Sequence, residues 1–335
     1  MDCGPNATQW RDGMKAMKRT MVTLLALLPF ATGTALADDE DGYSRIFVFG
    51  DSFSDPGNHF AVTGETAHPP FDPVPLASYG VGGHHFTNGR TWVEVLAQEM
   101  GLTEWAKPAY REPANDGDDD ANVPAGNYAY AYARARPYSP VGPSFGEQVE
   151  DWIDDGHCLV VPMYDTLFVV QIGGNDLSDA LDAVLAGQDP TSIFEGAIGS
   201  IAANIGTLAA CGAHNFLVAN LPNLAASPLV PPEYKDGVTA MTMQFNETLQ
   251  GVLDAYFGGL NMSTVDFFLF GTVAMETPEV YGFSNVTDTC LTFGVTKNAF
   301  CKDRDGYFFW DPLHPTKKAH ALLGEIALGQ LPALD

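Results

Sequence analysis

Ile46-Phe-Val-Phe-Gly-Asp-Ser52-Phe-Ser-Asp-Pro-Gly-Asn58 passes in one step from an apolar, strand-forming run to a polar turn rich in glycine. A run that is apolar on both sides belongs in the interior of a sheet covered on both faces. Runs of the same kind recur at 167–172, 216–221 and 265–270. Helical patterns lie between them. Thr91-Trp-Val-Glu94 is a capping box that opens a helix through Met100, which Gly101 ends. Phe194, Ile198, Ile201, Ile205 and Leu208 follow spacings of three and four, and Met241, Phe245, Leu249, Val252 and Tyr256 do the same. Strand alternating with helix predicts an α/β fold in three layers, a mostly parallel sheet between helices. Such sheets bind ligands beyond the carboxyl ends of their strands, the rim on which Ser52 and Asn175 both fall.

Near the other end the chain reads Phe309-Trp-Asp311-Pro-Leu-His314-Pro-Thr316. A serine hydroxyl attacks a carbonyl only when a base takes its proton, and that base needs an orienting partner. Asp311 and His314, three residues apart on one turn, can supply partner and base to Ser52. Taken alone, Ser52 would also suit a turn or helix N-cap. His84, His85, His157, His214 and His320 carry no comparable neighbour and read as ordinary surface or core residues.

Gly-Asp-Ser52-Phe, Gly89, Gly173-Gly-Asn175-Asp and Asp311-x-x-His314 resemble the four blocks of the GDSL, or SGNH, esterase/lipase family. The similarity is to its larger branch of secreted plant and bacterial enzymes. Phe86-Thr-Asn-Gly89-Arg-Thr-Trp, Gly212-Ala-His-Asn-Phe-Leu-Val-Ala-Asn-Leu-Pro222 and Tyr307-Phe-Phe-Trp-Asp extend it from about residue 44 to the end. The resemblance implies a flavodoxin-like sheet and an acyl-enzyme on Ser52, with His314 as base and Asp311 as its orienter. It also implies an oxyanion hole made by the Ser52 N–H, the Gly89 N–H and the Asn175 amide. Gly82 and Gly83 are rivals for the glycine. Asp51, Asp55, Asn58 and Asp176 read as supports of the turns through side-chain to backbone hydrogen bonds. Two departures stand out. Phe53 replaces the family's leucine, and Asn127-Tyr-Ala-Tyr-Ala-Tyr132-Ala fills a segment where the branch commonly carries a Gly-Gly pair.

Gly142-Pro-Ser144-Phe-Gly146 matches the Gly-x-Ser-x-Gly elbow of α/β-hydrolases, but that elbow must follow a strand. The residues before it, Arg136-Pro-Tyr-Ser-Pro, cannot form a central strand. Ser144 with Glu147 instead makes a capping box for a helix through Val149, Trp152 and Ile153.

Lys15, Lys18 and Arg19 precede an apolar run at 21–31, and Ala35-Leu-Ala37 then offers a small-x-small cleavage site. This is the layout of a signal peptide, too short for a membrane span. Residues 1–37 are therefore expected to be removed, leaving 38–335 as a single exported domain. No later apolar segment reads as a transmembrane helix. The net charge of −26 becomes −28 once the leader's four basic and two acidic residues are gone. Such a field opposes nucleic acid and anionic membranes.

Cys158, Cys211, Cys290 and Cys301 remain in the exported chain, and four cysteines allow three pairings. The short spacing favours Cys290–Cys301, while Cys158 and Cys211 either pair or stay as buried thiols. No cysteine or histidine cluster suggests zinc. Asp118-Asp-Asp120 reads as a solvated loop in preference to a calcium site. The Asn-x-Ser/Thr sites at Asn246, Asn261 and Asn285 are incidental in a bacterial setting. The expectation is a secreted serine esterase or lipase needing no metal or organic cofactor, with an ester or lipid as substrate. An acyltransferase, a carbohydrate O-deacetylase and a catalytically silent binding module are the alternatives.

Overall fold

The computed structural model describes residues 42–67, 78–110, 124–138, 140–293, 295 and 298–334. Four parallel strands form the main sheet: β1 Arg45–Gly50, β2 Met163–Gln171, β3 Ala213–Ala219 and β4 Asn261–Val265, side by side in that order. Residues 126–130 run along the free edge of β1. The Val48 N–H donates to the Gly126 carbonyl at 2.9 Å, and the Tyr128 and Tyr130 N–H groups donate to Val48 and Gly50 at 2.8 and 3.0 Å. With this irregular edge included, the order is that of a flavodoxin-like sheet. The Tyr-Ala-Tyr alternation is thus the pleat of an extended edge.

The helices are α1 Asn58–Thr63, α2 Trp92–Glu99, α3 Phe145–Asp154, α4 Gly174–Leu185, α5 Thr191–Ala210, α6 Lys235–Tyr256, α7 Phe267–Glu276 and α8 Lys317–Leu328. Strand side chains alternate between two cores, as the period of two demands. Phe47, Phe49, Phe168, Val170, Phe216 and Val218 pack with α3, α5 and α6. Ile46, Val48, Leu167, Val169, Leu217 and Ala219 pack with α2, α7 and α8. The three layers follow directly. Both expected capping boxes form, at Thr91 with Glu94 and at Ser144 with Glu147.

One expected strand is corrected. Residues 265–270 supply only the last residue of β4, after which Asp266 accepts a hydrogen bond from the Leu269 N–H at 2.9 Å and caps α7. A short apolar run does not by itself distinguish a buried strand from a buried helix, and the cap decides it here. A second expectation also changes. Among the described residues α5 is long and apolar enough to cross a bilayer by length and composition. In the fold it is a crossover helix between β2 and β3, with Ala197, Ile198, Ile201, Ile205 and Leu208 in the core.

Two disulfides brace the domain. Cys158–Cys211 ties the loop after α3 to the end of α5, and Cys290–Cys301 closes the loop ahead of residues 307–316. The leader, its cleavage site and Asp118-Asp-Asp120 lie outside the described residues.

Candidate active site

β1 ends at Gly50, where a side chain would collide with the Gln171 carbonyl, 2.6 Å from where its Cβ would stand. The chain turns at once. Ser54 and Asp55 N–H groups both donate to the Asp51 carbonyl at 3.0 Å, and the Phe53 N–H donates to Asp51 Oδ1 at 3.1 Å. Gln148 of α3 pins the strand end from the side, its amide exchanging two 2.9 Å hydrogen bonds with the Gly50 backbone. Ser52 is left half-buried at the head of this turn.

Asp311 and His314 share the turn before α8. The Leu313 and His314 N–H groups donate to Asp311 Oδ1 at 2.8 and 2.7 Å, which fixes the carboxylate within its own loop. Its other oxygen faces His314 Nδ1 at 2.8 Å, and His314 Nε2 lies 2.9 Å from Ser52 Oγ. Serine, imidazole and carboxylate therefore form one hydrogen-bonded line. Asp311 and His314 are buried, and the imidazole sits between the rings of Phe53 and Phe86, at 6.0 and 5.5 Å. An apolar, water-poor surround strengthens each polar contact along the line.

Asn175 lies in the first turn of α4, where its side-chain amide donates to the Ala133 carbonyl at 2.9 Å. One N–H of the NH₂ group is thereby spoken for, leaving the second as a donor. The 132–136 segment that holds it is itself tied to α4. Arg134 pairs with Asp179 at 2.9 Å, and Arg136 pairs with Asp176 at 3.0 Å and with Asp179. Asp51 Oδ2 lies 3.4 Å from the place a Cβ would take on Gly174, so the neighbours of Ser52 and Asn175 meet.

Gly89 is held against α8. A Cβ on it would stand 2.8 Å from Lys317 Cβ, so no side chain fits without displacing the start of that helix. Thr87 donates to the Pro315 carbonyl at 2.7 Å, clamping the same turn to the loop of His314. Gly82, at φ 94, packs onto the Asn88–Gly89 peptide and serves as its backing.

The carboxylates read as supports do support. Asp55 accepts from the N–H groups of Gly57, Asn58, His59 and Ala131, and Asn58 reaches the Asn127 and Ala129 carbonyls. Burial pushes Asp51 up to about 7 and Asp55 to about 6, against those hydrogen bonds. His320 lies fully buried behind the site, where burial, with the nearby His314 and His85, pushes it down to about 3. It stays neutral and accepts from the Trp92 N–H at 3.3 Å.

Ser144 is elsewhere and buried, its hydroxyl 2.7 Å from Glu147 in the capping box. Two further residues bear on the site, and Tyr79 carries no sequence signal of it. Tyr79 donates to Asp311 Oδ2 at 2.8 Å across 232 residues of sequence. Tyr132 takes a left-handed φ of 66, strained for an aromatic residue, and its ring meets Phe86 and His59 at 5.7 and 5.5 Å. The unusual alternation around Tyr132 was its only sequence signal. Among the described residues no cluster of three or more histidines, cysteines or acids could hold a metal ion.

The family model for GDSL-like lipase/acylhydrolase matches residues 46–327. The chain belongs to this family. It is a carboxylic ester hydrolase of the GDSL esterase/lipase kind. A GDSL esterase/lipase of Arabidopsis thaliana is 26% identical, over 92% of this chain and 91% of its own length. Another from the same plant is 25% identical over 92% and 94%. A thermolabile hemolysin of Vibrio parahaemolyticus is 24% identical, matching 85% of this chain and 63% of its own. Among solved structures, a putative GDSL-like lipase from Parabacteroides merdae is similar with a TM-score of 0.45 at 13% identity, covering 86% of this chain and 95% of that one.

Proposed function

We propose that Ser52 is the acyl-accepting nucleophile of this GDSL hydrolase, with His314 as general base and Asp311 as its orienter. The observation that carries the reading is the unbroken line from Ser52 Oγ through the imidazole to Asp311 Oδ2, with steps of 2.9 and 2.8 Å. Ser52 Oγ attacks the ester carbonyl carbon while its proton passes to His314 Nε2. The carbonyl oxygen takes the negative charge, and the Ser52 N–H, the Gly89 N–H and the free N–H of Asn175 receive it. Collapse breaks the bond to the alcohol oxygen, which leaves with the proton from His314. Water then gives its proton to the same nitrogen as it attacks the acyl carbon, and collapse of this second intermediate breaks the bond to Ser52 Oγ, which takes the proton back from His314 as the acid leaves. Asp311 keeps Nδ1 protonated and stabilises the imidazolium without taking the proton itself.

Residues 1–37 are read as a leader removed on export, leaving 38–335 as one hydrolase domain outside the cytosol. The two disulfides support an oxidising compartment. A sulfonyl fluoride or phosphonate should label Ser52 alone, located by mass spectrometry. Ser52→Ala should lose about 10⁴–10⁶ in kcat, and Ser144→Ala should keep its turnover. Label on Ser144, or full activity in Ser52→Ala, would overturn the assignment.

A further inference from the structure

Tyr79 is buried, on a short parallel ladder that pairs Ser78–Tyr79 with Thr66–Ala67. Its backbone is fixed by the Tyr79 N–H donating to the His85 carbonyl at 2.8 Å and the His84 N–H donating back at 2.9 Å. Its ring stands edge-on to Trp310, centroids 5.8 Å apart. The hydroxyl reaches Asp311 Oδ2 at 2.8 Å, the same oxygen that faces His314 Nδ1. Asp311 thus receives two backbone N–H groups on one oxygen and Tyr79 with His314 on the other.

We propose that Tyr79 is a positioning residue that sets how strongly Asp311 acts on His314 through the oxygen the two share. The proposal rests on the Ser52–His314–Asp311 reading above. A phenol donating to Oδ2 disperses carboxylate charge that would otherwise bear on the imidazolium at Nδ1. It also stops the carboxylate rotating away from Nδ1. Burial, helped by the neighbouring Asp311, drives the phenol well above its ordinary range, so it remains a donor at every working pH. The other titratable groups that bear on this cluster are Asp51 from the turn after β1, His320 from α8, and Tyr132, which faces Asp311 and Tyr79.

Tyr79→Phe keeps the ring and removes the donor. The acidic limb of kcat/KM, which reports the free enzyme's base, should then move to higher pH by about half a unit to one unit. Placing 3-fluorotyrosine at position 79 strengthens the donor at nearly the same shape, and should move the limb to lower pH. Because burial pushes Asp51 up to about 7 beside His314, both measurements are repeated in Asp51→Asn, where the shifts should persist. A purely structural Tyr79 would lower the rate by the same factor at every pH and leave the limb in place, which would overturn the proposal. Should Tyr79→Phe fold poorly, the fluorinated enzyme decides alone. Asp311→Asn separates the two levels of argument. If it is crippled while the limb ignores both Tyr79 variants, the triad stands and the role of Tyr79 falls. If it keeps the wild-type rate and limb, the triad reading fails and takes the proposal with it.

Discussion

Asn88 Oδ1 accepts the backbone N–H of Lys317 at 2.8 Å, so the residue before Gly89 caps the helix that follows His314. The proposed oxyanion glycine and the proposed base are therefore parts of one clamp, formed by segments 229 residues apart in sequence. A buried side-chain acceptor on a helix's first N–H satisfies a donor that has no partner within the helix.

Asn88→Ala should cost about 0.5–1.5 kcal/mol, the loss of a part-buried hydrogen bond to that N–H. It should also lower kcat by about tenfold or more with little change in KM, since the turn of Gly89 shifts relative to His314. Urea unfolding and steady-state kinetics on one aryl ester check both. An unchanged kcat beside a lowered stability would show that the clamp serves the fold alone.

Asn175→Ala should lower kcat by about 10²–10³. The tie to Ala133 is lost as well, so a thermal melt accompanies the kinetics, and a fall in rate without loss of cooperativity assigns the effect to the oxyanion. Near-wild-type turnover would leave Asn175 as a structural tie.

Asp51 carries a pH prediction whose sign follows from its raised pKa. Burial holds its proton on up to about 7 in the folded state, whereas the unfolded chain releases it near 4. The folded protein therefore binds more protons across that window, and this group's share of the stability falls as pH rises from about 4 to about 7. Asp51→Asn keeps the acceptor for the Phe53 N–H and removes the titration. Stability followed by urea unfolding should decline less with pH in Asp51→Asn than in wild type. Parallel curves would refute the account.

The disulfides should separate stability from activity. Cys158–Cys211 spans 53 residues and Cys290–Cys301 spans 11. In the chain-entropy view the first contributes about 4 kcal/mol and the second about 3. The second also braces the strand leading to the site. The Cys290 and Leu291 N–H groups donate to the Phe309 and Trp310 carbonyls at 3.0 and 2.8 Å, directly before Asp311. Replacing Cys158 and Cys211 by Ser should cost more stability. The same change at Cys290 and Cys301 should cost more turnover per unit of stability lost. Equal ratios in the two double variants would contradict the brace.

What the sequence disclosed divides along the range of each interaction. Ser52 after its strand, the Asp311–His314 turn and both capping boxes are local patterns, and they read correctly. Residues 265–270 misled because an apolar run of that length fits a strand or a helix until Asp266 is recognised as a cap. Tyr79 carries no local signal because Asp311, the partner of its hydroxyl, lies 232 residues away. The edge at 126–130 hides behind an alternation that, in sequence, reads only as a departure from the family. Gly89 showed as a motif residue, but the side chain that makes a glycine necessary there, Lys317, has no signature of its own.

The 262 residues between Ser52 and His314 have a bearing on timing. The proposed nucleophile follows the first strand of the main sheet, and the proposed base lies directly before α8, which packs against α2. Closing so long a segment is among the costlier steps of assembly, and contacts of this separation form late. A ribosome-bound chain would expose the serine long before the histidine exists, and would spare every ester it meets. Recovery of turnover after dilution from denaturant should lag behind the return of secondary structure, since the two ends must meet before either can act.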